Sequence, residues 1–296
     1  MKTKTPYRLI SIIIINKNEL GVEGTLELLT KQEAPLPFEI IVVDASNGAL
    51  NKIYARFPNV ICIPFVSKST KKITIPEQRN VGIKAAHGDI VVFIDACCDP
   101  TKKWLASLTA QIIEGNEKLV AGGTLSTGER TFHDVVYESQ KRKKYIDQAP
   151  TINLAIDSSV FSKVGYFDEN LLYGSDMDFT WRAKNAGYKI RNAPEALITH
   201  DWGSLRQELK RAYRYGQAKI KLYRKHNISL ATFVHREFAL VFYVGFVVGL
   251  PITLLSPIYP LFVLLPIVKN FRDSPFKLAL INFTTAYGAV RELLAI

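Results

Sequence analysis

Through the first two hundred or so residues, short apolar β-branched runs alternate with stretches of helical spacing. Residues 9–15, 40–43, 60–63 and 90–94 are apolar on both faces, and helical patterns lie between them at 22–32, 49–57, 76–86 and 104–114. A strand that is apolar throughout must be covered on both sides, and intervening helices supply that cover. The pattern predicts an α/β fold, a mostly parallel sheet flanked by helices. Beyond Gly122 and Gly123 it loosens into an apolar run at 152–156, a helix over about 176–186, and strand-like pieces at 189–193 and 197–199. No Gly-x-Gly-x-x-Gly follows the first strand, where Asn16-Lys17-Asn18-Glu19 stands instead, so a dinucleotide oxidoreductase is not indicated.

The end of the chain reads differently. In residues 203–227, Leu205, Leu209, Tyr213, Gly216, Ile220 and Tyr223 recur at steps of three or four among eight Lys/Arg and one acid, Glu208. That is an amphipathic basic helix. Residues 238–256 are 19 uncharged positions, close to the ~20 that cross a hydrocarbon core. Pro257, Pro260 and Pro266 leave 258–268 too short for a straight span, so it reads as re-entrant, interfacial or a return arm, and 276–296 is a further apolar helix. The pattern divides the chain into a domain at 1–227 and apolar C-terminal helices at 228–296. The bland reading of those helices is a soluble dimer interface. An uncharged run flanked by cations favours a membrane-associated segment, and the positive-inside rule then puts the preceding domain in the cytoplasm at the cell membrane.

Charge agrees with that picture. The net +11 is concentrated beside the apolar tail rather than spread over an extended face, which suits an anionic membrane surface and not nucleic acid. Cys62, Cys97 and Cys98 are too few and too badly spaced for a disulfide framework or a zinc site. The lysine-bearing N-terminus lacks the apolar core of a secretory signal.

In an open parallel sheet, ligands bind beyond the carboxyl ends of the strands. Two strands end there in acids: 40–43 runs into Asp44, and 90–94 into Asp95. Each acid alone could cap the next helix; two at one edge, with Asn18-Glu19 after the first strand, suggest a shared site. Further residues extend the series in order. They are Ser11-Ile-Ile-Ile-Ile-Asn-Lys-Asn-Glu19, Glu39-Ile-Ile-Val-Val-Asp44, Arg79-Asn-Val-Gly82 with Ala86-His-Gly88, Phe93-Ile-Asp95, Gly165-Tyr-Phe-Asp-Glu169, Gly174-Ser-Asp-Met-Asp178 with Trp181-Arg182, Ala186-Gly187-Tyr188 and His200. From about residue 8 to 227 the chain resembles the family-2 glycosyltransferases of the GT-A fold.

The resemblance implies transfer of a sugar from a nucleotide-sugar donor, a UDP sugar above all, with inversion and with Mg2+ or Mn2+ as divalent cation. It implies that Asp44 accepts the imide N–H of the base, and that Asn16, Asn18 and Glu19 line base and ribose. Arg79 would meet the diphosphate, where a guanidinium suits phosphate geometry, or else lie on a helix face in water. Asp95 and His200 would hold the cation. The family's Asp-x-Asp reads Asp95-Ala96-Cys97 here, and a thiol is a poor ligand for hard cations, so Asp99 is a stand-in to consider. The family's Glu-Asp pair reads Ser175-Asp176, which leaves Asp176 as the base that takes the acceptor's proton. Ser175 and Asp178 also fit a capping box. Trp202 is a candidate to stack on a sugar, or a packing residue. The acceptor would be a hydroxyl of a lipid-linked or envelope-polysaccharide molecule, with a polyprenyl phosphate, or an inactive membrane scaffold of the same fold, as alternatives.

Overall fold

The computed structural model describes residues 7–67, 74–128, 131–263 and 275–295. In chain order the first part runs β1 (Ile10–Asn16), α1 (Val22–Leu29), β2 (Phe38–Asp44), α2 (Asn51–Tyr54), β3 (Val60–Pro64), α3 (Ile75–Ala85), β4 (Ile90–Ile94) and β5 (Cys98–Pro100). It continues with α4 (Trp104–Ile113), β6 (Leu119–Ser126), α5 (Phe132–Gln140), β7 (Tyr145–Ile146), β8 (Asn153–Asp157), α6 (Ser159–Val164), α7 (Ser175–Asn185) and β9 (Ile190–His200). The nine strands form one sheet in the order β3-β2-β1-β4-β8-β6-β9-β5, with β7 on β9.

The four apolar runs that open the chain became β1 to β4, and they pair in parallel. The expectation of a mostly parallel sheet holds only in part beyond β4, where β6 pairs β9 in parallel but β5 and β7 are antiparallel to β9. There β8 lies antiparallel to both β4 and β6, so the sheet is mixed. The physical reason is that β8 is buried along its whole length, so no exposed polar face along it marks its orientation. The two strand-like pieces at 189–193 and 197–199 are one strand, β9. Its register against β6 slips between Gly122 and Gly123, leaving residues 194–196 looped out. Asn153 fills the slip: its amide nitrogen donates to Gly123 O and Ala196 O, both at 2.8 Å, while its oxygen accepts from Trp104 Nε1 at 2.9 Å. A Cβ on Gly122 would run into that Asn153 amide and the Ala196 carbonyl. The core under the sheet gathers Phe93, Leu154, Phe161, Phe167 and Phe179.

By packing, the chain forms two units: residues 1–128 with 136–201, and residues 129–135 with 202–296. The second contains α8 (Leu205–Lys225), α9 (Leu230–Arg236), α10 (Phe238–Val248), 3-10 turns at Leu250–Leu254 and Tyr259–Val263, and α11 (Pro275–Leu293). The hydrophobic pattern drew a boundary after residue 227, whereas α8 packs with the tail. It crosses α11 at reciprocal glycines: a Cβ on Gly216 would strike Thr285 O, and one on Gly288 would strike Tyr213 O. Ile220, Leu240, Tyr243, Ala279, Ala286 and Ala289 form this unit's core.

The uncharged run 238–256 is not one helix. α10 has 11 residues, about 16 Å at 1.5 Å per residue, and Pro251 then removes a donor and crowds the preceding turn. The axes of α9 and α10 meet at 99°. Among the described residues no single helix is long and apolar enough to cross a membrane. Residues 264–268 of the 258–268 stretch lie outside the described residues.

Candidate active site

Parallel pairing puts the carboxyl ends of β1, β2 and β4 at one edge of the sheet. Asn16 lies opposite Asp44, and Ile13 opposite Phe93, two residues before Asp95. The two acids therefore flank β1 from either side, roughly 10 Å apart at two strand spacings. Asp44 is 4% exposed. Its Oδ1 accepts the Ser46 hydroxyl at 2.7 Å and the Tyr54 hydroxyl at 3.0 Å, and its Oδ2 accepts Ser46 N–H at 3.2 Å. Burial, first of all, raises the Tyr54 phenol well above its ordinary range, so it stays protonated and donating.

Asn16 shapes this edge rather than lining an open surface. Its amide nitrogen donates to Tyr54 Oη at 2.9 Å and Glu19 O at 3.2 Å, and its oxygen accepts Glu19 N–H at 3.1 Å. Asn18 adopts a left-handed φ of 63°, tolerated by asparagine, and gives its N–H to Ser46 Oγ at 2.7 Å. Gln78 of α3 closes the arrangement: oriented to satisfy its neighbours, its amide donates to Val43 O at 3.0 Å and Asn16 O at 3.2 Å. Ser46, Tyr54 and Gln78 carry no signal in the sequence; only their positions around Asp44 reveal them.

The turn after β4 carries Asp95 into β5. Thr25 of α1 holds it, its oxygen 2.9 Å from both Ala96 O and Cys98 O and accepting Cys98 N–H at 3.1 Å. β5 pairs antiparallel with β9, so Cys98 faces His200 and Asp99 faces Thr199. Successive side chains alternate between faces, and Asp99 is exposed on the side away from His200. It is therefore no replacement for the missing second acid. Cys97 sits instead against Glu19, Sγ to Oε2 3.8 Å. Burial, then the Glu19 carboxylate, pushes its thiol up to about 11, so at neutral pH it is an uncharged SH. Among the described residues, no three of His, Cys, Asp and Glu converge to hold a metal ion. Asp95 follows the end of β4, and His200 ends β9 opposite Cys98 at the start of β5; a carboxylate and an imidazole suit a cation whose remaining ligands are diphosphate oxygens and water.

The α3–α7 wall gives Arg79 a definite place. It is 9% exposed, not in water on a helix face: Nη1 reaches Ser175 Oγ at 3.4 Å and the guanidinium lies 5.6 Å from the Phe167 ring centroid. Its neighbour Asn80 clamps the 165–169 loop, giving N–H to Phe167 O and Glu169 Oε1 and accepting Phe167 N–H. Ser175 opens α7 behind Gly174 at φ 75°. The capping box expected from Ser175 and Asp178 does not form. Asp178, fully buried, binds Arg182 Nε at 2.8 Å, and Arg182 reaches on to Val164 O and Tyr166 O. That leaves Asp176 half-buried in the first helical turn. Its Oδ1 accepts Met177 N–H at 2.9 Å.

Trp202 belongs to the second unit. Its indole stacks on His133, ring centroids 3.4 Å apart and planes 5° apart, and the Arg211 guanidinium is 5.9 Å away. Arg211 also donates to Trp202 O. One face of this ring is thus already covered, which favours packing over sugar stacking.

A mixed sheet with acids clustered at the carboxyl ends of its parallel strands defines a GT-A-like α/β protein. The family model "Glycosyl transferase family 2" matches residues 11–171, and "Glycosyl transferase family group 2" matches residues 109–271. The chain belongs to glycosyl transferase family 2 and is a glycosyltransferase. It is 26% identical over 255 residues to Glycosyltransferase AglE of Haloferax volcanii, covering 82% of each chain. With the Pre-mycofactocin glycosyltransferase of Mycobacterium tuberculosis it shares 29% over 185 residues, 58% of this chain and 39% of that one. In fold it is similar to the Mannosyltransferase PcManGT from Pyrobaculum calidifontis, solved in complex with GDP-Man and Mn2+, at a TM-score of 0.74 and 15% identity over 99% of this chain and 88% of that one. GalNAc-T7, solved with UDP, GalNAc and Mn2+, is similar at a TM-score of 0.53 and 15% identity, over 79% of this chain and 57% of that one.

Proposed function

We propose that this enzyme moves a sugar, with inversion, from a UDP sugar to a hydroxyl of a lipid-linked or envelope-polysaccharide acceptor at the cytoplasmic face of the cell membrane. The observation that carries the reading is the register placing Asp44 and Asp95 on the two sides of β1 at one sheet edge. Asp44, fixed by Ser46 and Tyr54, is the acceptor for the base N–H, and the 16–19 loop borders base and ribose. Asp95 and His200 would hold the divalent cation; bound there, it would offset the charge that develops on the departing diphosphate.

In the first turn of α7, Asp176 takes the proton from the acceptor hydroxyl as its oxygen attacks the anomeric carbon. The new C–O bond forms while the bond to the diphosphate oxygen breaks, and the electron pair leaves with the nucleoside diphosphate. Arg79 bears on Ser175, next to that base, so it holds the first turn of α7 and adds positive potential beside it. A polyprenyl phosphate acceptor would be ionised already and would need no base. AglE and the Mycobacterium relative are glycosyltransferases by name, which supports the reaction class and leaves donor and acceptor to experiment.

The test is thermal unfolding of the full chain with a panel of nucleotide sugars, with and without Mn2+. UDP sugars should raise Tm, more so with the ion, and Asp95→Ala should abolish the ion's share. A rise with GDP sugars alone would remove the UDP assignment, and no rise with any donor would remove the site.

A further inference from the structure

The second unit presents a surface that sugar transfer does not use. α10 carries no charge and, at about 16 Å, is half the ~30 Å thickness of a hydrocarbon core. After the 3-10 turn at Leu250–Leu254 the chain reverses. The Tyr259 ring stacks on Phe246, centroids 5.4 Å apart and planes 8° apart, and its hydroxyl donates to Phe246 O at 2.9 Å. Gly249 makes room for this return, since a Cβ there would collide with the Tyr259 hydroxyl. The tip of the hairpin is apolar and bare: Leu254 is 90% exposed, Leu255 88% and Ile258 64%.

Three observations identify what covers it. First, the tip's backbone satisfies itself although it is exposed. The N–H groups of Gly249, Ile252, Leu255, Ser256, Tyr259 and Leu261 all bond to carbonyls within the same segment. Hydrocarbon supplies no such partners, so a turn that satisfies them internally is able to face lipid. Second, the bend between α9 and α10 is pinned. Glu237, at the break, accepts Lys219 Nζ at 2.5 Å and Tyr223 Oη at 3.1 Å from α8. Straightening the pair into a span would pull that carboxylate from its partners and carry it toward lipid, leaving a charge without its compensating cation. Third, the exposed cations of α8, Arg206, Lys210, Arg214, Arg224, Lys225 and Lys221, the last of them 3.6 Å from Glu292, fall within an arc of about 100° at 3.6 residues per turn. Of the buried residues, Ala212, Gly216 and Tyr223 lie on the opposite face, Leu222 and Ile220 on its flanks and Ala218 at the edge of the stripe. A single basic stripe in the same unit as a charge-free tip fits anionic headgroups over an acyl layer.

We infer that residues 238–263 form a re-entrant hairpin that enters one leaflet of an anionic bilayer and returns on the same side, with the α8 stripe binding the headgroups. This rests on the membrane reading above and deepens it to a single-leaflet attachment. The experiment uses the full chain with vesicles of phosphatidylcholine, with or without one quarter phosphatidylglycerol. Donor-induced Tm shifts are recorded in parallel without vesicles, so that loss of attachment is told apart from loss of the sugar site.

The chain should sediment with the anionic vesicles, and the Leu254→Glu/Leu255→Glu variant should bind at least about tenfold more weakly with its donor shift intact. In a Ser256→Cys variant, the peptide holding residue 256 should resist a membrane-impermeant maleimide from either side of the vesicle. Labelling only from the lumen would mean a span, and labelling from outside at the free-solution rate would mean no insertion; either overturns the proposal. Equal binding of wild type and the Glu variant, or wild-type dimers that the Glu variant splits while vesicles bind neither, would do the same.

Discussion

The two units bury their residues by opposite rules. In the first, large apolar side chains are inside and the polar ones at the sheet edge are inside as well, each held by named partners; Asn16, Asp44, Gln78, Arg79 and Asp178 are all nearly inaccessible. Among its described residues, the exposed large hydrophobics are Leu20, Ile61, Val66 and Tyr166. In the second they continue from Leu205 to Leu294, while the core is narrow and rich in alanine and glycine at the α8–α11 crossing. Fixed polar groups hold their orientation for a charged ligand without reorganising. An apolar surface left facing outward has the opposite meaning: patches of that kind mark interaction surfaces, here the proposed bilayer contact.

The largest effect is expected from Asp95→Ala, which should lower donor turnover by at least about 10³-fold with the fold retained by circular dichroism; turnover within tenfold of wild type would mean that the sheet edge is not the site. Asp176→Asn should cost about 10² to 10⁴ in kcat with a hydroxyl acceptor. If a phosphate acceptor turns over undiminished, the alternative acceptor class is the right one.

A stability probe comes next. Burial pushes the Asp157 carboxyl up, but Lys118, Ser159 and Tyr7 outweigh it, so it titrates below its ordinary range. Its contribution is complete above the unfolded carboxylate value of about 3.9 and disappears as pH falls through the lower folded value. Lys118 is 41% exposed, so Asp157→Asn should cost about 2 kcal/mol at neutral pH, less than a fully buried pair, and flatten the acid side of the stability profile. Chemical denaturation at pH 7 and pH 3 measures both.

Smaller effects sharpen the site. Cys97→Asp restores a second hard oxygen ligand and should lower the Mn2+ or Mg2+ concentration for half-maximal activity about tenfold; an unchanged metal titration would place the ion away from this turn. Tyr54→Phe removes one donor from Asp44 and should raise the donor KM severalfold, with kcat little changed. A fall in kcat alone would show that Asp44 does not touch the donor.

Much of the first unit was legible because its strands are short, apolar on both faces and separated by helices. β1 to β4 fell within a residue or two of the runs that announced them, while α2 came out much shorter than its pattern. Less was legible where pairing joins distant segments. Nothing local in residues 153–157 says that β8 runs antiparallel, and two fragments merged into β9 only because Asn153 and the glycines of β6 accommodate a slip. In the site, Asp44, Asp95, Asp176 and His200 were visible as acids or imidazole at element ends, whereas Ser46, Tyr54, Gln78 and Thr25 were invisible. They act by holding something else, and common residue types carry no mark of that.

Sequence alone determined the α/β class, the acids at the strand ends and a charge-free tail beside a basic helix, because hydrophobic periodicity and residue chemistry are local properties. Tertiary structure decided that Asp99 points away from His200, that Arg79 is buried against Ser175, that Asp178 serves Arg182, and that the apolar tail bends instead of running straight. Each of those depends on which partner a side chain or backbone meets across the fold, and a linear pattern does not carry that information.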